Sequence, residues 1–457
     1  MKQIDVLPDD VLLDVFDIYI SMHPSNFLET KPSWQLLVHV CRRWRSLVLG
    51  SPRRLNLRLI VTPKARGKLD IWPALPLVVR VISSDTDNII AALEQSNRVH
   101  EVFLHSVGWK MEEVFATMQV PFPELTDLIV LSFDETPPLI PDSFLDGSAP
   151  RLRILGLSGI LFPGLSNLLL SATHLVNLYL DRIPHSEYIS PEAMVASLSL
   201  LSSLEILTLK FKTAKYRPDG ESRSLPPPKR PILPALELFR FRGVTEYLEV
   251  LVTFINASQL ETLEIELLNQ IDFDFPPLAQ FINCSPKLRA CHEARVGFYE
   301  NSFLVKLRYE THEFGVYDSR DDDVYIDISC EGQDHQLPSI ERVCNSYFLS
   351  TVEVLYIDRP YGWQADAVQS TQWLQLLLPF TAVKNLYIGE SLGPGIMDAL
   401  QEVVGGRIVE VLPSLQKMSV QWCEPSGRFR ENIERFVTAR RLSGQPVAVD
   451  VRKKPTW

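Results

Sequence analysis

Residues 151–180 read RLRILGLSGILFPGLSNLLLSATHLVNLYL. One phrase, apolar-x-x-apolar-x-apolar, occurs twice within them: Leu152-x-x-Leu155-x-Leu157 and, 23 residues on, Leu175-x-x-Leu178-x-Leu180. The last two positions alternate with period two, a strand signal. The phrase recurs upstream at Val99-x-x-Val102-x-Leu104 and Leu125-x-x-Leu128-x-Val130. Downstream it returns at Leu204, at Leu236 (with Phe239 and Phe241) and at Leu260. After a gap it resumes at Val352, Val383 and Leu415. Outside that gap, successive copies start 23 to 32 residues apart. A fixed phrase at this period marks a repeat array, in which one unit cannot bury its own apolar face and only the stack is stable. Each phrase is expected to be a short strand with its three marked side chains in the core. The stretches between should return as helices, as at Asp87–Glu94, Pro191–Leu201, Thr371–Pro379 and Gly395–Val404, or irregularly. The fold class is α/β. A doubly wound sheet would share the alternation, but no Gly-rich phosphate turn accompanies it.

The spacing is similar to that of leucine-rich repeats, though looser, and the asparagine of the strict repeat is mostly missing. An irregular leucine-rich-repeat-like α/β solenoid is therefore expected over 96–425. A connecting segment and cap should precede it at 56–95, and a C-terminal cap and tail follow at 426–457. Two interruptions are expected. Lys215 to Pro231, KYRPDGESRSLPPPKRP, should be a flexible loop. Residues 303–330 alternate apolar and polar side chains and should form an inserted pair of strands around an acidic turn, Asp318 to Asp323.

The first 55 residues follow a different period. Leu7-Pro8 opens a helix, since proline suits a first turn and Asp9 and Asp10 complement the positive helix end. Leu12, Val15, Phe16 and Tyr19 then form one stripe at i, i+3, i+4, i+7. After a polar loop, Ser33 is a candidate N-cap. Leu37, Val40, Cys41, Trp44, Leu47 and Val48 keep helical spacing as far as Gly50-Ser51-Pro52. So short a segment cannot hide this much apolar surface by itself, so part of it must meet the rest of the chain or another protein.

The segments LPDDVLLDVFDIY and WQLLVHVCRRWRSLVLGSPRRLNLRL together resemble an F-box. The resemblance is carried by Leu7-Pro8, by Val15-Phe16 and by Val40-Cys41-x-x-Trp44, with a longer loop than usual between the helices. The loop, the run SPRRLNLRL and the repeat body are similar to F-box proteins of fungi. The resemblance implies a three-helix domain over 1–55. It implies a Skp-type adaptor as partner, bridging to a cullin, and an SCF-type cullin-RING E3 ubiquitin ligase in which this chain is the substrate-recognition subunit. Its repeats would hold an unidentified protein target for ubiquitin-dependent degradation. By the same resemblance, Leu7, Pro8, Val11, Leu12, Val15 and Phe16 form the adaptor dock, and Val40, Cys41 and Trp44 form the internal core. No bond chemistry and no cofactor are implied, and the location is cytoplasmic or nuclear. The alternative is a non-catalytic repeat scaffold for protein–protein interaction without a role in ubiquitination.

Composition narrows the field. The net charge is −11, yet nine basic residues and no acid lie between Arg42 and Leu69 (Arg42, Arg43, Arg45, Arg53, Arg54, Arg58, Lys64, Arg66, Lys68). Such a patch suits an acidic protein partner or a solvated helix face. No RNP, KH or zinc-finger pattern accompanies it, so nucleic acid is not expected. The six cysteines form no CxxC pair, and free thiols in a reducing compartment are expected. No stretch reaches the ~18 apolar residues of a membrane span. No Walker loop, nucleophile elbow, H-E-x-x-H or calcium loop occurs, so an enzyme is not expected. Cys291-His292 should place a buried thiol beside an exposed imidazole, because adjacent strand residues face opposite ways. Positions between the marked repeat residues, Glu205, Glu237, Arg240, Glu261, Glu264, Asn385 and Tyr387 among them, should line the open face of the sheet.

Overall fold

The strands form where the repeated phrase puts them. In the computed structural model the described residues are 7–23, 32–62, 72–81, 87–106, 111–184, 190–213, 232–268, 276–309, 323–330, 336–346, 349–358, 369–389, 392–403, 410–421 and 427–452. All thirty marked positions of the ten phrases are buried, none more than 2% exposed. The expected loop at 215–231 and most of the acidic turn lie outside the described residues.

Internal contacts divide the chain into two units, Met1–Ile189 and Ser190–Trp457. The boundary falls between two repeats, not after the N-terminal helices. Those helices are tied to the strands that follow them: the Trp34 indole donates to the Arg58 carbonyl at 2.9 Å, and Arg58 pairs with Glu101.

The first unit opens with α1 (Asp9–Met22), α2 (Trp34–Val38) and α3 (Arg42–Gly50). A parallel sheet follows in chain order: β1 (Leu59–Val61), β2 (Leu77–Val81), β3 (Val99–Ser106), β4 (Asp127–Ser132), β5 (Ile154–Ser158) and β6 (Asn177–Ile183). The expected connecting segment at 56–95 therefore carries the first two strands of the sheet. Phrase residues stack in register, Val102 opposite Leu128, Leu128 opposite Leu155 and Leu155 opposite Leu178. The intervening returns include α4 (Asp87–Leu93), α5 (Met111–Thr117) and α6 (Leu165–Ser171).

The second unit begins with α7 (Pro191–Leu198), whose N-cap Ser190 accepts from the Ala193 amide at 3.2 Å, with proline in the first turn where no donor is needed. Parallel strands β7 (Ile206–Phe211), β8 (Leu238–Gly243) and β9 (Thr262–Leu267) follow, with α8 (Thr245–Phe254) before β9. After α9 (Pro276–Asn283) and α10 (Pro286–Arg289) the repeat rhythm breaks. Here β10 (Glu293–Phe298), β11 (Ser302–Arg308) and β12 (Val324–Ser329) run up, down and up, giving the spatial order β9-β12-β11-β10. The inserted strands are the expected pair, β11 and β12, and their Phe303, Val305, Leu307, Val324, Ile326 and Ile328 are buried. A tight turn, with the Tyr299 amide on the Ser302 carbonyl at 2.8 Å, reverses the chain without a crossover helix. Parallel order then resumes through β13 (Val354–Asp358), β14 (Asn385–Ile388) and β15 (Lys417–Gln421), alternating with α11 (Gln336–Ser346), α12 (Ser370–Leu377) and α13 (Gly393–Glu402). The expected cap and tail hold α14 (Gly427–Leu442) and one more parallel strand, β16 (Ala448–Arg452).

Nine of the ten repeats also use an apolar anchor three residues before the phrase. In eight of the repeats the amide of the first phrase residue donates to the carbonyl of that anchor, as in Leu125 to Phe122, Leu175 to Ala172 and Leu236 to Leu233. This turn closes each return and starts the next strand with its carbonyls satisfied.

Candidate functional site

Helix α1 starts after Pro8, which stands at the N-cap with φ −58° and ψ 154°. Asp9 and Asp10 occupy its first turn, where the partial positive charge of the helix end favours carboxylates. The side facing α2 and α3 buries Leu12, Leu13 and Phe16, exposed by 1%, 8% and 0%. The Phe16 ring meets the half-buried Trp44 ring at 4.7 Å between centroids, tilted by 59°. Arg43 ties the helix start to α3: its Nε and Nη2 donate to Asp9 Oδ1 at 3.0 and 2.6 Å, and Nη2 also to the Leu7 carbonyl at 2.6 Å.

A second apolar stripe runs along α1 and stands largely in solvent. Val11, Val15, Ile18 and Met22 are exposed by 39%, 47%, 59% and 72%. At 100° per residue these four positions fall within about 60° of arc, so they make one continuous strip, not scattered surface residues. On and just after α2, Leu36 and Val40 are exposed by 63% and 59%.

The six residues assigned to the dock therefore separate. Pro8, Val11 and Val15 are exposed and Leu7 is half-buried, whereas Leu12 and Phe16 belong to the interior of the helical module. The core assignment changes as well. Val40 is exposed because α2 ends at Val38 and the chain turns before α3, so the helical period does not run through from Leu37. Cys41 is half-buried in extended geometry (φ −156°, ψ 173°) and caps α3, its sulfur accepting from the Trp44 amide at 3.5 Å. Trp44 keeps its packing role. The sequence reading missed Ile18 and Met22 on the outside and Trp34 on the inside. The signal for the outer pair was present: both continue the spacing begun by Val11 and Val15.

Several of the nine cations are engaged within the chain. Besides Arg43 and Arg58, the Arg45 Nε donates to the Val38 carbonyl at 2.9 Å and Arg54 pairs with Asp14 at 2.5 Å. Lys64, Arg66 and Lys68 lie outside the described residues. Of the positions assigned to the open sheet face, Arg240 pairs with Glu264 at 2.8 Å and Glu261 with Lys287 at 2.7 Å.

Cys291 is buried and its neighbour His292 exposed, as expected, although both lie just before β10 and not within it. Burial, aided by the Asp323 charge, pushes the Cys291 thiol up to about 12. Burial likewise pushes Cys344 up to about 12 and Cys330 to about 11, which keeps these sulfurs protonated and unreactive. Among the described residues, no group of three or more His, Cys, Asp or Glu side chains converges as a metal site. No helix among them is long and apolar enough to cross a membrane. A comparison with protein-family models and with curated proteins finds no match.

Proposed function

We propose that the three N-terminal helices are a docking module of the F-box kind, which holds a Skp-type adaptor and through it a cullin. On this reading the chain is the substrate-recognition subunit of an SCF-type ubiquitin ligase, with its repeats left to hold the protein target. The observation that carries the reading is the strip Val11, Val15, Ile18 and Met22, four large apolar side chains in line on a helix whose other side is already packed. Exposed apolar strips of this kind on a folded protein mark places where another surface is received. Each such side chain, fully covered, contributes roughly 1.5–3 kcal/mol to association. Leu7, whose carbonyl accepts from Arg43, and Pro8 stand just before the strip.

No bond is made or broken by this chain. Its contribution is proximity, since tethering a target near a charged enzyme raises their effective concentration. The test is a titration of the full-length chain with a purified Skp-type adaptor. The double variant Val15→Glu/Ile18→Glu should bind about a hundredfold more weakly with its melting transition unchanged, because both side chains already stand in water. Undiminished affinity would remove the adaptor reading and leave the scaffold alternative.

A further inference from the structure

The inserted strands change the outward face of the sheet in the second unit. Register places Tyr325 opposite Lys306, Lys306 opposite Arg295, Arg295 opposite Tyr356, and Tyr356 opposite Tyr387, one row across five strands. These side chains pack against one another. Lys306 Nζ lies 5.1 Å from the Tyr325 ring centroid and Arg295 Cζ lies 5.7 Å from that of Tyr356. Tyr356 and Tyr387 stack at 4.6 Å and 11°. Rings packed face to face along a row leave their edges and hydroxyls for whatever approaches from outside.

The next row along the strands carries Glu266, Asp327 and Asp358. Two of these acids have a cation: Arg242 pairs with Glu266 at 3.0 Å, and Arg295 Nε donates to Asp358 at 2.6 Å. Asp327 makes no ion pair among the described residues. Its Oδ1 is buried without a hydrogen bond, and the Tyr325 hydroxyl stands 3.5 Å from Oδ2. Burial pushes its carboxyl up; the Ser302 hydroxyl opposes this in part, and the Glu266 charge adds to the rise. Gly297, in the same row between Leu304 and Asp358, adds no side chain, and the half-exposed Tyr299 edges that gap: a Cβ at Gly297 would meet its ring at 3.4 Å.

We infer that this face is a docking surface for a polypeptide segment bearing an arginine or lysine, its cation set against Asp327 and its neighbours lying along Tyr325, Tyr356 and Tyr387. Charge complementarity selects the cation, because Glu266 and Asp358 each have an internal cation while Asp327 has none among the described residues and keeps one carboxylate oxygen without a hydrogen bond. Tyrosine and arginine interleaved are the composition of protein-recognition surfaces. Nucleic acid is disfavoured, since Glu266, Asp327 and Asp358 would repel phosphates while Arg242 and Arg295 are already engaged. The inference rests on the second unit alone and stands or falls independently of the adaptor reading.

A phage-displayed library of random dodecapeptides, selected on the immobilised full-length chain, tests it. The recovered peptides should be enriched in arginine or lysine beside aromatic residues, and a synthesised winner should bind about tenfold more weakly to Asp327→Asn and to Tyr387→Ala. The same peptide should bind Val15→Glu/Ile18→Glu normally. Recovery of no peptide, enrichment of acidic residues, or a winner indifferent to both substitutions would overturn the inference. So would displacement of the winner by a short single-stranded oligonucleotide at lower concentration than by unlabelled peptide.

Discussion

The repeat strands and helix α1 are both rich in large aliphatic side chains, and the chain treats them differently. Along the strands the marked positions are buried without exception, Leu155, Phe239 and Leu386 alike. Along α1 the aliphatic residues divide, with Leu12, Leu13 and Phe16 inside and Val11, Val15, Ile18 and Met22 outside. A strand in a parallel stack has neighbours at both edges and only two faces, so period two leaves one choice, and a one-residue slip would turn every marked side chain outward. A helix has a full circle of directions, and α1 offers two apolar strips roughly 140° apart. Which strip goes inside is decided by residues elsewhere, Trp44 above all, and the surplus strip is where a function is found.

The comparison breaks most visibly where a charge is forced into a strand core. Leu155→Asp, between Leu128 and Leu178 on adjacent strands, buries a carboxylate with no partner. The cost should exceed ~4–5 kcal/mol, enough to abolish a cooperative denaturant transition of the first unit, whereas Arg153→Asp, two residues away and exposed, should stay within ~0.5 kcal/mol. A cooperative unfolding curve for Leu155→Asp would show that the stack tolerates what the register forbids. Next in size is the contrast within α1. Phe16→Ala removes the ring packed on Trp44 and should cost about 3–5 kcal/mol, while its neighbour Val15→Ala should change the urea midpoint by ~0.5 kcal/mol or less. Equal losses at the two positions would erase the distinction between an inner and an outer strip.

How much was legible follows from the same geometry. The ten phrases were readable because period two and the 23-to-32-residue spacing agree, and the structure adds anchors such as Phe122, Ala172 and Leu233 that the reading had passed over. The antiparallel pair was readable from the alternation at Phe303 and Val324, but its place between β9 and β10 was not, since strand order is set by which edges remain open. The first strand was missed because Leu59–Val61 is only three residues long, and the last, Ala448–Arg452, because it lacks the phrase. In the helical module, Leu12, Phe16 and Val40 were placed on the wrong side. The turn after Val38 resets the helical period, and nothing in the local pattern ranks the two strips of α1.

A smaller effect probes the ends of the strands. Gly159, directly after β5, has φ +63°, and a Cβ there would stand 2.5 Å from the Ser132 carbonyl oxygen. Gly159→Ala should cost about 1–3 kcal/mol, from both the left-handed backbone and the clash with a strand that cannot yield. Gly50→Ala at the end of α3 meets nothing within 4 Å and should be neutral or stabilising by up to about 1 kcal/mol. Calorimetry that ranks the two alike would mean that the close approach of β4 and β5 is softer than their register implies.

The smallest effect concerns the outward face, where a polar residue behaves partly like a core one. The Asp327 carboxyl is raised above its ordinary 3.8, chiefly by burial. The native state then holds its proton more tightly than the unfolded chain, so stability falls as pH rises from about 4 through the native value and stays lowered above it. Asp327→Asn removes that loss. It should raise the urea midpoint at pH 7, and the advantage should vanish below about pH 4, where the native aspartate is already neutral. An advantage of equal size at both pH values would trace to packing. A loss at neutral pH would mean that Arg242 holds the carboxylate ionised, and the outward row would then be closed on itself, with no place left for an incoming cation.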